Sequence, residues 1–386
     1  VKDNSRRLKI ALVGTRGVPA RYGGFETAVE EIGQRLAARG HLVTVYCRNR
    51  GSGAPSNYLG MTLVNLPALR SKSLETLSHT ALSVIRLVVH RKPDVVILFN
   101  AANAPFLPFL RLRGIPVSTH VDGLEWKRSK WGGAARSYYR VGEALAVRWS
   151  NALIADAQGI ADYYRDEFGT STELIAYGAP ILDDPADDRL AEIDLSTGNF
   201  HLIVARFEPE NHVDVAVAGY LASSAKLPLV VVGAAPYADE YTERIGALAS
   251  TDSRIRLLGA VWDQTQLDQL YANALTYIHG HSVGGTNPSL LRAIGAGTAV
   301  LAYDVVFNRE VLGSDGQYFI DAASLASLIE AAEADVPEVE GRAARLQQRA
   351  REEYRWDDVA DRYEKMCRDL AHGVRLRAKA SGRRRS

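Results

Sequence analysis

Two glycine-rich loops hold the residues whose types and spacing could do chemistry. The first reads Gly14-Thr15-Arg16-Gly17-Val18-Pro19-Ala20-Arg21-Tyr22-Gly23-Gly24-Phe25-Glu26. Without a Cβ, glycine lets the backbone approach a ligand and aim N–H groups at it, and a helix starting behind the loop adds its positive end. Arg16 and Arg21 supply cations that suit a phosphate. The G-x-G-x-x-G spacing and the Gly-Lys-Ser/Thr run are both missing, so this is neither a dinucleotide fingerprint nor a Walker loop. A loop that merely needs its turns is the alternative. The second reads His279-Gly280-His281-Ser282-Val283-Gly284-Gly285-Thr286-Asn287-Pro288-Ser289. Pro288 at a helix start leaves later N–H groups free for an anion, and Ser282, Thr286, Asn287 and Ser289 add side-chain donors. His279 and His281 have no carboxylate or cysteine beside them in sequence, so they read as hydrogen-bonding groups rather than metal ligands. Asp122 and Glu125 could work as paired carboxylates. In the alternative reading Asp122 fixes its loop and Glu125 pairs with Lys127 or Arg128.

Loops of this kind need strands and helices to aim them. Apolar β-branched runs at Leu8–Val13, His41–Cys47, Met61–Asn65, Asp94–Phe99, Ile115–His120, Ala152–Ala155 and Glu173–Ala176 predict strands. Helical patterns lie between them at 26–39, 74–91, 135–148 and 159–167. A second series at 200–205, 227–232, 255–258, 276–278 and 298–302 repeats the alternation, and helical patterns fill 322–334, 338–354 and 356–370. Short apolar strands separated by helices predict an α/β fold of parallel sheets covered on both faces. The expected domains are 1–182 and 183–355, each Rossmann-like and facing the other across a cleft. A helix over 356–373 follows, and then a basic tail over 374–386. The Pro- and Asp-rich segment 178–188 reads as the linker.

The chain has 386 residues, 47% hydrophobic and 24% charged, with a net charge of +1. That is ordinary for soluble globular chains of about two domains. Cys47 and Cys367 are too few for a disulfide framework or a thiolate zinc site. The longest apolar run, Ala81 to His90, is broken by Arg86 and is too short to span a membrane. The polar start carries no signal-peptide core, and together these features predict a cytosolic protein with free thiols. The charge is unevenly placed: residues 1–182 sum to +10 and residues 183–386 to −9. Nucleic acid or an anionic membrane surface could answer the basic half, and no nucleic-acid motif accompanies it. Trp126-Lys127-Arg128-Ser129-Lys130-Trp131 and the 74–92 helix suit a headgroup zone, a solvated charge run being the alternative.

With the two loops, Val121-Asp122-Gly123-Leu124-Glu125-Trp126-Lys127-Arg128 and Ala205-Arg206-Phe207-Glu208-Pro209-Glu210-Asn211 complete a collinear set of motifs. The chain resembles the retaining nucleotide-sugar glycosyltransferases of the GT-B fold, the class that includes glycogen and sucrose synthases. Within that class it is similar to bacterial rhamnosyltransferases of cell-wall and capsule synthesis.

The resemblance implies roles for matching positions. His120, Asp122 and Arg206 would be catalytic, with His120 and Asp122 near the donor sugar and Arg206 on the diphosphate. Gly23 and Gly24 would approach the diphosphate, with Arg16 as a second cation. Gly233 and Val261 would hold the base, and His281, Gly285, Thr286, Asn287 and Ser289 would line the sugar and phosphate pocket. Trp356 would mark the point where the chain crosses back to the first domain. Three positions depart from the class. Asn211 stands where a lysine is usual, and Gly284 and Arg292 stand where two glutamates are usual. Arg292 replacing the cation missing at Asn211 is the expectation. The implied reaction moves rhamnose from dTDP-rhamnose, with retention, to a lipid-linked saccharide in cell-envelope polysaccharide synthesis. The implied enzyme is peripherally bound to the inner face of the membrane and uses no metal or cofactor. A UDP- or GDP-sugar donor, a non-catalytic nucleotide-sugar-binding protein and an epimerase on a related fold are the alternatives.

Overall fold

A computed structural model describes the chain except for residues 1–5, 21–23, 49–53, 70–73, 91, 122, 129–131, 184, 234–238 and 378–386. The chain divides into two compact units, Val1–Ala176 with Trp356–Ser386, and Tyr177–Arg355. The first unit thus ends six residues before the expected 182, and the last helix belongs to it.

The first unit is built on β1 (Lys9–Val13), β2 (Leu42–Arg48), β3 (Asn57–Tyr58), β4 (Met61–Leu66), β5 (Val95–Phe99), β6 (Val117–Val121), β7 (Ala152–Ala155) and β8 (Glu173–Leu174). They form one sheet in the order β3-β4-β2-β1-β5-β6-β7-β8. Every pairing is parallel except β3 with β4. All five residues of β5 and all five of β6 are buried, which is why these strands read as unbroken apolar or small-residue runs. Helix Trp356–Ala371 closes the unit, burying Trp356, Val359, Tyr363, Met366, Cys367 and Leu370 along one stripe. Cys47 and Cys367 are both buried and neither forms a disulfide among the described residues, and burial pushes the Cys367 thiol up to about 12.

The second unit holds β9 (His201–Val204), β10 (Leu229–Val232), β11 (Ile255–Gly259), β12 (Thr276–His279), β13 (Ala299–Tyr303) and β14 (Gln317–Phe319). This sheet is all parallel, in the order β11-β10-β9-β12-β13-β14. From β9 the chain first builds outward on one side through β10 and β11. It then returns to the other side through β12, β13 and β14. The strand order therefore reverses between β9 and β12, and the loops leaving those two strands flank the switch point where α/β sheets bind ligands. The same reversal falls between β1 and β5 in the first unit, beside the Gly14–Gly24 loop.

Candidate active site

In the second unit, the loop after β9 and the loop after β12 are locked together. Gly280 makes this possible, because a Cβ there would lie 2.1 Å from the Asn211 carbonyl oxygen. Ser282 donates both its N–H and its hydroxyl to the Glu210 carbonyl, at 2.9 and 3.0 Å. Asn211, buried to 5% exposure, donates Nδ2–H to the Arg206 carbonyl at 2.8 Å. Its Oδ1 stands 2.5 Å from His281 Nδ1. Both ends of the Asn211 side chain are thus held by protein groups, which makes it a clasp between the loops. His212 completes the junction: its Nδ1–H donates to the Gly280 carbonyl at 2.9 Å, and its ring stacks on Tyr303 at 4.1 Å.

Arg206 leaves this clasp as a half-buried cation, steered by Glu208 Oε1 at 3.0 Å. Gly233, at the end of β10, lets the Ala205 backbone pass; a Cβ there would lie 1.9 Å from the Ala205 carbonyl oxygen. Asn287 caps helix Pro288–Gly295, accepting from Ser289 N–H at 2.9 Å and from the Ser289 hydroxyl at 2.7 Å. Tyr277 OH stands 3.1 Å from Ser289 Oγ and 3.3 Å from His279 Nδ1. Thr286 is buried, and neither Gly284 nor Gly285 gives its N–H to a backbone carbonyl among the described residues. Val261 is half-buried in the turn after β11.

Arg292 sits elsewhere in the network. Its guanidinium is engaged by Asp268 of helix Gln264–Asn273, whereas Asn211 is engaged by Arg206 and His281. The two positions share no partner, so the expected replacement of one cation by the other finds no support in these contacts. Gly284 has a physical account of its own. Its φ of +141° disfavours any side chain, and a Cβ there would crowd His281 Nε2 at 3.1 Å. The glutamate usual at this position would strain the backbone and crowd the His281 ring.

His279 carries a signal that sequence spacing only hinted at. It is 3% exposed, and its Nε2 has no hydrogen-bond partner among the described residues. Burial holds its pKa down to about 3, so the imidazole is neutral at physiological pH.

In the first unit, Gly23 and Asp122 lie outside the described residues, as does Arg21. Gly24 opens helix Gly24–Ala38. The Arg16 side chain is exposed, while its backbone N–H donates to Glu26 Oε1 at 3.0 Å and Ala20 N–H donates to Glu30 Oε2 at 2.7 Å. Two carboxylates thus occupy amides that the sequence offered to a phosphate, and burial raises the pKa of both. His120 is fully buried, stacked on Phe99 at 5.6 Å and edge-on to Phe25 at 5.2 Å. Burial lowers its pKa to about 3, so it serves as a neutral group and supplies no cation. Glu125 pairs with Arg128 at 2.8 Å, the structural alternative weighed from the sequence. A pairing the sequence did not single out joins helix Gly133–Trp149 to helix Gln158–Phe168. There Tyr163 OH donates to the buried Glu143 at 2.9 Å, and burial raises the Glu143 carboxyl to about 7. Among the described residues, no three His, Cys, Asp or Glu side chains gather as a metal site.

Comparison with known proteins bears on these units. Two parallel-sheet α/β domains, each with its loops gathered at a switch point, define the GT-B architecture. Sucrose-phosphate synthase from Thermosynechococcus elongatus superposes with a TM-score of 0.81 at 20% identity, over 95% of this chain and 100% of that one. HepE from Anabaena, solved in complex with UDP, gives 0.74 at 15% identity over 93% and 99%. Residues 189–353, within the second unit, match the family model described as "Glycosyl transferases group 1". Residues 7–180 match the family described as "Domain of unknown function (DUF1972)". The GtfA subunit of the UDP-N-acetylglucosamine–peptide N-acetylglucosaminyltransferase from Streptococcus gordonii is 28% identical over 119 residues. That alignment covers 30% of this chain and 22% of the relative's length.

Proposed function

We propose that the protein is a glycosyltransferase that uses a nucleotide-sugar donor. The observation that carries this reading is the match of residues 189–353 to the glycosyl transferases group 1 family. The clasped loops after β9 and β12 fall within that match. Arg206, the N-terminal end of helix Pro288–Gly295 and the amides of Gly284 and Gly285 form a cationic, donor-rich setting for a diphosphate leaving group. His279 offers a neutral imidazole to a sugar hydroxyl, and the His281 ring lies beside it at 5.9 Å between centroids. The acceptor hydroxyl attacks the anomeric carbon on the face from which the diphosphate departs. The carbon–oxygen bond to phosphate breaks as the glycosidic bond forms, and the hydroxyl proton passes to a phosphate oxygen. Retention results without a protein nucleophile.

The finer reading takes rhamnose from dTDP-rhamnose and a lipid-linked saccharide of cell-envelope polysaccharide as acceptor, on the motif resemblance. A UDP-sugar donor is the second reading, because HepE, which shares the fold, is solved with UDP and with UDP-glucose. No metal is assigned a role in either. A thermal-shift panel of UDP, GDP and dTDP with their sugars tests class and donor together. A nucleotide at a hundred times its dissociation constant should stabilise by about 2.7 kcal/mol. Arg206→Ala should weaken that binding by about 1.5–3 kcal/mol, as expected for loss of a charged hydrogen bond. No shift with any nucleotide at millimolar concentration would remove the reading.

A further inference from the structure

Helix Glu75–Val89 buries His79, Thr80, Ser83, Val84 and Leu87 and turns a second apolar stripe outward. Leu82, Ile85 and Val89, at i, i+3 and i+7, are exposed, Val89 by 69%. Helix Leu107–Leu112 does the same: Leu107 and Leu110 are buried, while Phe109 is 55% and Leu112 86% exposed. The two helices pack together, and Lys92 Nζ lies 3.4 Å from where a Cβ would stand on Gly114. Two helices that pack together therefore both turn apolar side chains outward, an apolar ridge of Leu82, Ile85, Val89, Phe109 and Leu112. Isolated exposed leucines are ordinary, but five large exposed apolar side chains on one pair of packed helices mark a contact surface.

The exposed charged side chains within these two helices and just after them are basic. Arg86, His90, Lys92, Arg111 and Arg113 are exposed. None of the four Arg and Lys side chains has a carboxylate partner among the described residues. The sequence has no acidic residue between Glu75 and Asp94, and none between Asp94 and Asp122. Those flanking carboxylates are already engaged, Glu75 by Arg48 at 2.8 Å and Asp94 by Arg6 at 2.7 Å. The end of the described chain joins the same surface. Leu376 N–H donates to the Asn151 carbonyl at 3.3 Å, and Arg377 donates to the Val147 carbonyl and, at 2.8 Å, to that of Arg148. Arg111 reaches the neighbouring Trp149 carbonyl at 3.4 Å. In sequence, residues 378–386 carry Lys379, Arg383, Arg384 and Arg385 and no acidic residue.

We infer that this face of the first unit docks on an anionic lipid bilayer. The apolar ridge enters the boundary between headgroups and acyl chains, while the basic side chains beside it meet anionic headgroups. An acidic protein would answer the charges, but a bilayer answers the charges and the protruding ridge together, without needing a complementary shape. No described helix is long and apolar enough to cross a membrane, so attachment through this face would be peripheral. The inference concerns the first unit alone and stands whether or not the second binds a nucleotide sugar.

Co-sedimentation of the full chain with phosphatidylcholine vesicles, with and without phosphatidylglycerol, tests it. Binding should require phosphatidylglycerol and fall as salt rises from about 0.05 to 0.5 M. Leu112→Glu and Val89→Glu alter exposed side chains and should keep the fold, yet each should lower partitioning at least about tenfold. Arg113→Glu should lower it about fivefold or more, and removing residues 378–386 should lower it further. Trp262→Glu, at a 71% exposed residue of the second unit, should leave it unchanged. Nucleotide-induced melting shifts should be the same in Leu112→Glu and the parent, which separates this test from that of the donor site. Equal binding to both vesicle types, no binding to either, or equal effects of Leu112→Glu and Trp262→Glu would each overturn the inference. So would a self-associated chain that ignores vesicles and is dispersed by Leu112→Glu, because a second copy would then be the occupant.

Discussion

The departures at Asn211 and Gly284 are joined through His281 rather than being separate accidents. Asn211 holds His281 by its ring nitrogen at 2.5 Å, and His281 in turn abuts Gly284, whose φ of +141° disfavours a side chain. A lysine at 211 would release His281, and a side chain at 284 would strain the backbone and crowd the ring. The Asn211–His281 bond is partly buried, so its loss leaves polar groups that water reaches poorly. A double-mutant cycle of Asn211→Ala and His281→Ala should therefore show a coupling of about 1 kcal/mol in urea unfolding of the second unit. Arg292→Ala should couple to Asp268→Ala and be additive with Asn211→Ala within about 0.5 kcal/mol. Additivity across the Asn211–His281 pair would dissolve the clasp, and strong coupling of Arg292 to Asn211 would revive the idea of a displaced cation.

Between elements, close approach decides what each glycine is for. Gly280 sits where β12 ends and must let the Asn211 carbonyl pass, so Gly280→Ala forces the two loops apart. Gly246 lies in helix Asp239–Ala249 with nothing within 4 Å of a would-be Cβ. Gly246→Ala should stabilise by about 0.5–1 kcal/mol through helix propensity, whereas Gly280→Ala should destabilise by about 1–3 kcal/mol. Melting of the two variants checks both signs, and a stabilised Gly280→Ala would refute the close approach. Much of this level was legible in the sequence. Ala152–Ala155 and Ala322–Ala334 have the predicted bounds, because a buried apolar run and a capped amphipathic stretch are local patterns. The β3–β4 hairpin was not legible, since Asn57–Tyr58 is two residues long and joins only through its partner. Helix Leu107–Leu112 escaped because Pro105 and Pro108 read as breakers, although Pro108 takes the second position of the helix, where its missing N–H is not needed. The site shows the same division. The glycine loops announced themselves, but the packing of Phe25 and Phe99 around His120 and the engagement of Arg292 by Asp268 join residues far apart in the chain.

At the scale of the whole molecule, the two units should answer pH differently, because buried titratable groups are distributed unequally between them. His120 in the first unit and His279 in the second are both held near 3 by burial, against an ordinary 6.5. A histidine kept neutral in the fold contributes stability that is full above pH 6.5. That stability is lost at about 1.4 kcal/mol per pH unit as pH falls toward 3. Glu143, in the first unit, runs the other way. Burial raises its carboxyl from 4.5 to about 7, against the smaller opposing effect of the Tyr163 hydrogen bond. Its stability is full below pH 4.5 and is lost as pH rises through 7, about 3 kcal/mol in all. Between pH 4.5 and 6.5 the His120 and Glu143 slopes cancel, while His279 stands unopposed among these three. Glu26 and Glu30, raised by burial, add to the Glu143 slope, and His79, lowered by burial, adds to that of His120, so the first unit should lose less stability on acidification than the second. Glu143→Gln keeps an acceptor for Tyr163 while removing one slope. It should raise the first unit's stability at pH 8 by about 3 kcal/mol and expose the His120 slope below pH 6.5. Hydrogen exchange resolved by peptide at pH 5, 6.5 and 8 reads the units separately. If the Glu143→Gln variant keeps the parent's pH profile in the first unit, Glu143 does not titrate there.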